Sequence, residues 1–226
     1  MRFIFTDLRR IFTESAFYIS MLLSALLLGA GMLCVWSSCE PERLFLLAQS
    51  FALPFVAPVL AAMPYAVMIM QEKETRYDTL MNIKLSGTGY IFRRFITCGI
   101  SGGLALFIPQ AILLIVCIII CPEADRGYDL TVLLLSLSFG FSYAALSYGL
   151  TFVNRQRYVP LVMPQVLYLL CIYAFPHIKL ERFYPPLDIA PAIYGSNITP
   201  DRIFIPLLIT ALGLVLTVTG KVGERR

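Results

Sequence analysis

Long apolar runs separated by short polar intervals make up almost the whole chain, and each run is about as long as the roughly 20 residues a helix needs to cross a bilayer. In order they predict spans over 16–36, 44–70, 95–121, 130–153, 158–175 and 203–219. Ahead of the first, Met1, Ile4, Phe5, Leu8, Ile11 and Phe12 share one helical stripe, with Arg2, Asp7, Arg9 and Arg10 on the other side. Residues 1–14 are therefore expected to lie along the membrane surface, arginines toward lipid phosphates.

Some runs carry breaks. Span two holds Pro54, Pro58 and Pro64, and span five holds Pro160, Pro164 and Gln165. A proline inside a helix removes one backbone hydrogen bond, so both spans should be bent or broken. In lipid the freed carbonyls need a neighbouring helix or a polar cavity, which makes these positions candidates for kinks or for a pathway. Gly99 and Gly103 form a G-x-x-x-G pair on span three, a pattern that lets helices approach closely. Gln49, Gln110 and Gln165 are the only amides well inside the runs, and bonding between helices is their expected use. The segment 176–202 is rich in proline and aromatics; Tyr184, Ile189, Ile193 and Tyr194 make it too apolar for a solvated loop, so part of it should dip back toward the membrane.

Composition agrees with this pattern. The chain is 58% hydrophobic and 14% charged, against about a quarter charged in soluble domains. Its net charge of +4 is dispersed at the ends of apolar runs and forms no basic patch, so nucleic acid is not an expected partner. The lysines and arginines serve as topology signals. With an even number of spans both termini share one side, and only Arg43, Arg126, Lys179, Arg182 and Arg202 of the 18 basic residues fall on the other. That bias places both termini and the polar interval 71–94 in the cytoplasm of a multi-pass cell-membrane protein.

The interval 71–94, QEKETRYDTLMNIKLSGTGYIFRR, is the largest polar stretch before the last third of the chain. Tyr77, Leu80, Met81 and Lys84 recur at helical spacing, with Glu72, Glu74, Arg76 and Asp78 mostly on other faces. A short amphipathic helix is expected, its acidic residues toward the N-terminal end and Lys84 toward the C-terminal end, closed by Ser86-Gly87-Thr88-Gly89. Such a helix either floats at the lipid surface or docks on a soluble protein through Tyr77, Leu80 and Met81.

A glutamate-containing segment running into Thr79-Leu80, then a turn, then Tyr90, Arg93 and Arg94 before the third span resembles the second cytoplasmic segment of ABC type-2 permeases, the six-span membrane subunits of ABC exporters. That family often has Gly before Thr-Leu and Pro in the turn, where this chain has Asp78 and Gly87 or Gly89. The resemblance implies an all-α integral membrane protein of six transmembrane helices, with an N-terminal interfacial helix and a cytoplasmic coupling helix between spans two and three. It further implies that Glu72, Glu74, Arg76, Tyr77, Thr79, Leu80, Met81 and Lys84 touch an ABC ATPase subunit. ATP and magnesium would be held by that partner, and a second permease subunit, identical or related, would complete the transporter.

Other chemistries find little to stand on. The nearest approach to a phosphate-binding loop, Gly213 to Gly220-Lys221-Val222, has the wrong spacing and no Ser or Thr for magnesium, so this chain is expected to bind no cofactor of its own. The proposed span cores carry no charged residue, which argues against an ion-coupled carrier and for an apolar or amphipathic cargo. A single histidine, His177, gives neither a Ser-His pair with Ser142 nor a metal-ligand set, so no catalytic or metal site is expected. Cys39 and Cys121 both fall near the outer surface and could pair. The alternative to transport is a scaffold or immunity-type membrane protein that binds a partner through the same loop.

Overall fold

The computed structural model describes residues 2–36, 44–75, 88–120, 122, 129–153, 156, 158–179, 185–189 and 200–224. Among them are eight α-helices: α1 (Arg2–Thr13), α2 (Ser15–Val35), α3 (Leu44–Ser50), α4 (Leu53–Glu74), α5 (Thr88–Ile120), α6 (Asp129–Val153), α7 (Val159–His177) and α8 (Phe204–Glu224). Short 3-10 turns occur at Pro185–Asp188 and Pro200–Ile203. The described fold is all-α, and α2, α4, α5, α6 and α7 are each long and apolar enough to cross a membrane. The apolar part of α8, Phe204–Gly220, is shorter.

The bundle is built around α4 and α6, the most enclosed of the five long helices. On α6 pack α5 from one side and α8 from the other, while α4 packs against α2, α5, α6 and α7. Small residues permit these approaches. A side-chain carbon at Gly140 of α6 would stand 2.7 Å from the carbonyl oxygen of Gly102 of α5, so the two backbones touch there. The α6–α8 crossing is similar, since a carbon at Gly213 would lie 2.8 Å from the Ala145 carbonyl oxygen. Phe139, Tyr143 and Tyr168 fill one core region and Tyr65, Phe95 and Tyr148 another, each as edge-on or tilted ring contacts.

Several boundaries depart from the sequence expectation. The second apolar run is interrupted at Phe51 and Ala52, dividing it into α3 and α4. Pro54 then falls in the first turn of α4, where a missing amide costs no helical bond; Pro58 and Pro64 lie inside the helix. Pro160 likewise sits at the start of α7, and Pro164 lies within it. The helix α4 continues beyond Met70 through Glu74, and α5 begins at Thr88, seven residues before the apolar run. Thus Glu72 and Glu74, expected at the start of a separate short helix, continue α4, while Tyr90, Arg93 and Arg94, expected ahead of the third span, belong to α5, as does Gly89. Arg76, Tyr77, Thr79, Leu80, Met81 and Lys84 lie outside the described residues, as do Cys39, Cys121, Tyr184, Ile193 and Tyr194. Ile189 does join the core, fully buried, as its apolar character required.

Candidate functional site at the base of the polar segment

Extending both helices past the apolar runs brings charge into the bundle, and the charges meet. The Glu72 carboxylate, near the end of α4, lies 2.6 Å from Arg94 Nη2 on the first turns of α5 and 2.6 Å from Arg10 Nη1 on α1. One nitrogen of Arg94 reaches both carboxylate oxygens, donating to Oε1 at 2.7 Å. Glu72 and Arg94 are buried at 1% and 4% side-chain exposure, whereas Arg10 is 40% exposed. The Arg94 guanidinium also stands 5.1 Å from the Tyr90 ring centroid, within cation–π reach. Desolvating a carboxylate and a guanidinium is expensive unless each meets its opposite, and this three-way contact meets that requirement.

The junction ties three elements together at the point where the polar segment leaves and re-enters the bundle. It also bears on the polar side of α1, which meets the protein at two positions. Asp7 is buried and Arg10 is bonded to Glu72, while Ile11 and part of Phe12 pack inward and Phe5 and Arg9 remain exposed. The physical cause is Glu72: a carboxylate near the C-terminal end of α4 draws the polar side of α1 onto the protein. Glu72 accordingly has intramolecular partners and is enclosed, whereas Glu74, the last residue of α4, is exposed. Charge thus lies within two candidate spans, Leu53–Glu72 and Gly89–Ile120, where the sequence pattern had placed none in the cores.

At two of the prolines, the carbonyl left without a donor is bonded by a neighbouring helix. Pro64 has no amide for the carbonyl of Leu60, and Ser20 Oγ of α2 donates to that carbonyl at 2.6 Å. Pro164 leaves the carbonyl of Pro160 in the same state, and Ser147 Oγ of α6 donates to it at 2.6 Å. Beside Pro58, Gln165 Nε2 of α7 donates to the Phe55 carbonyl at 2.6 Å. Pro54, Pro58, Pro64, Pro160 and Pro164 are all buried, so their surroundings are packed helices. Gln165 bonds between helices as expected. Gln49 and Gln110, both fully buried, have no hydrogen-bond partner on either amide atom among the described residues.

A groove of about 300 Å³ lies between α6 and the start of α8, bounded by Leu137, Phe141 and Leu207 with Ser138, Ser142 and Thr210. Each hydroxyl donates to a carbonyl four residues earlier in its own helix, so the groove offers mainly hydrocarbon. No group of three or more potential metal ligands occurs among the described residues, and Cys34, Cys98 and Cys171 are free thiols.

The serines that bond these carbonyls, and the packing roles of Gly140 and Gly213, were not read from sequence. A proline four residues beyond a mid-span carbonyl does mark that carbonyl as unmet, but the sequence does not say which helix supplies the hydroxyl. No family model, no curated protein and no solved structure matches the chain.

Proposed function

We propose that the chain is the transmembrane permease subunit of an ATP-driven ABC exporter, working with a separate ATPase subunit and a second permease subunit. The observation that carries this reading is the Arg10–Glu72–Arg94 junction, which bonds α1, α4 and α5 at the two roots of the polar segment. A segment that receives a push from a soluble partner must be rooted firmly in the spans it moves. A buried ion bond to Arg94 and a partly exposed one to Arg10 supply such roots.

In this mechanism the ATPase docks on Tyr77, Leu80 and Met81, with Glu74, Arg76, Thr79 and Lys84 around them. Its closure on ATP displaces the segment, and the junction passes that displacement to α1, α4 and α5 together. The kinked helices α4 and α7 then rearrange toward an outward-facing state. Both termini lie in the cytoplasm, and α8 serves as the sixth span. The cargo is apolar or amphipathic, such as a peptide, lipid or drug, because the buried charges within the described spans, Glu72 and Arg94, are paired with each other and the α6–α8 groove is mainly hydrocarbon.

The test is the ATPase activity of the purified complex in lipid nanodiscs against a panel of cargo candidates. Stimulation by amphipathic peptides or lipids is expected. Stimulation by strongly hydrophilic solutes alone would overturn the cargo class, and an ATPase indifferent to every compound and to the permease itself would favour the scaffold alternative.

A further inference from the structure

Asp7 stands outside the Arg10–Glu72–Arg94 ion pairs, yet it is only 6% exposed and its Oδ2 is buried without a hydrogen-bond partner among the described residues. A buried carboxylate oxygen with no donor is costly while it carries charge and much less so once protonated. The groups around it come from every element that α1 packs against. From α1 itself there is Arg10, from α4 Glu72 and Tyr65, and from α5 Arg94 and Cys98; α2 carries no charged residue. Counting only formal charges, two arginines face Glu72 and Asp7, so the cluster is neutral when Asp7 is ionised and positive when it is not.

We propose that Asp7 makes the docking of α1 on the bundle proton-dependent: when its carboxylate takes a proton from the water at the membrane surface α1 is held more tightly, and when it loses that proton α1 loosens. The step is a simple protonation, and it removes the charge from an orphan buried acceptor in a cluster that already holds the Glu72 carboxylate. Burial pushes the Asp7 carboxyl above its ordinary value; Arg94 opposes this, Glu72 adds to it and Arg10 opposes it, with a net rise. The sign follows from linkage. A site that binds its proton more tightly when docked contributes docking strength fully present below the solvated carboxylate's pKa and lost as pH rises through the docked one. Each unit between the two values is about tenfold in the docking equilibrium. Ile11 and the Arg10–Glu72 bond persist at high pH, so the proton adjusts the hold of α1 and does not create it. Nothing in this device depends on transport.

The experiment is hydrogen exchange of the α1 backbone amides in the full-length chain, in phosphatidylcholine nanodiscs, between about pH 5 and about pH 8 with intrinsic rates divided out. In the wild type, α1 protection should fall as pH rises while α6 amides stay constant. Asp7→Asn should show high protection that does not change with pH. A flat wild-type profile, or an Asp7→Asn profile with the wild-type slope, would overturn the proposal. If Asp7→Asn loses α6 protection and so fails to fold, carboxyl 13C NMR of the aspartates in wild-type protein decides: one carboxyl titrating above the ordinary range supports the latch, and all of them titrating within it overturns it.

Discussion

Ser20 Oγ donates to the carbonyl oxygen of Leu60 at 2.6 Å, the carbonyl that would have received the amide of residue 64 had that residue not been proline. The hydroxyl therefore stands in for the amide that Pro64 lacks. Replacing Ser20 by Ala should destabilise the protein by about 1 kcal/mol, because a buried acceptor is left without a donor. In a Pro64→Ala background the restored backbone amide takes over, and the same substitution should cost much less. Thermal unfolding of the four variants in one detergent gives the coupling; equal costs in both backgrounds would show that Ser20 acts otherwise.

At the junction, the three partners should rank by burial. Glu72→Ala strands the enclosed Arg94 guanidinium and is expected to destabilise by roughly 3–5 kcal/mol. Arg10→Ala, losing a bond at a side chain that is 40% exposed, is expected to cost only about 0–1 kcal/mol. Melting temperatures of the two variants check the order, and a larger loss for Arg10→Ala would contradict it.

Glycines divide in the same manner. At Gly140 a larger side chain would run into the backbone of α5, so Gly140→Leu should prevent the α5–α6 crossing and with it stable expression. Gly29, where an added carbon meets nothing within 4 Å, should accept Ala neutrally or with a gain of up to about 1 kcal/mol from helix propensity. Size-exclusion profiles and melting curves of the two variants in detergent separate these outcomes.

Much of this architecture is legible in the sequence, and what is not has a common cause. Apolar run length gave the long helices, the prolines marked where the second run divides, and Gly99 and Gly103 pointed to a close helix contact. Helix ends were less accessible. The apolar runs stop at Met70 and Phe95, but α4 runs on to Glu74 and α5 starts at Thr88, because Glu72 and Arg94 neutralise each other across 22 residues of chain. The same long-range pairing turned α1: its wheel assigns Asp7 and Arg10 to the water side, and only the position of Glu72 brings them inward. A local pattern carries no record of a partner that distant. The sequence likewise names Gly102 and Gly140 without saying that they face each other.

The buried amides give a fourth prediction. Gln110 is fully enclosed and neither of its amide atoms has a partner among the described residues, so Gln110→Leu should stabilise the protein by about 1–3 kcal/mol. A lower melting temperature instead would mean that the amide holds a bound water or a polar group of the cargo.

The central claim is that a cytoplasmic ATPase engages the polar segment, and the most direct measurement is co-purification. A tagged wild-type chain and the double variant Tyr77→Asp/Leu80→Asp are extracted in mild detergent, and the eluates are assayed for a nucleotide-binding subunit and ATP hydrolysis. The account predicts an ATPase retained by the wild type and lost from the variant, with both chains folded to the same melting temperature. A wild-type chain that retains no ATPase under these conditions, or a variant that retains it fully, would contradict the account.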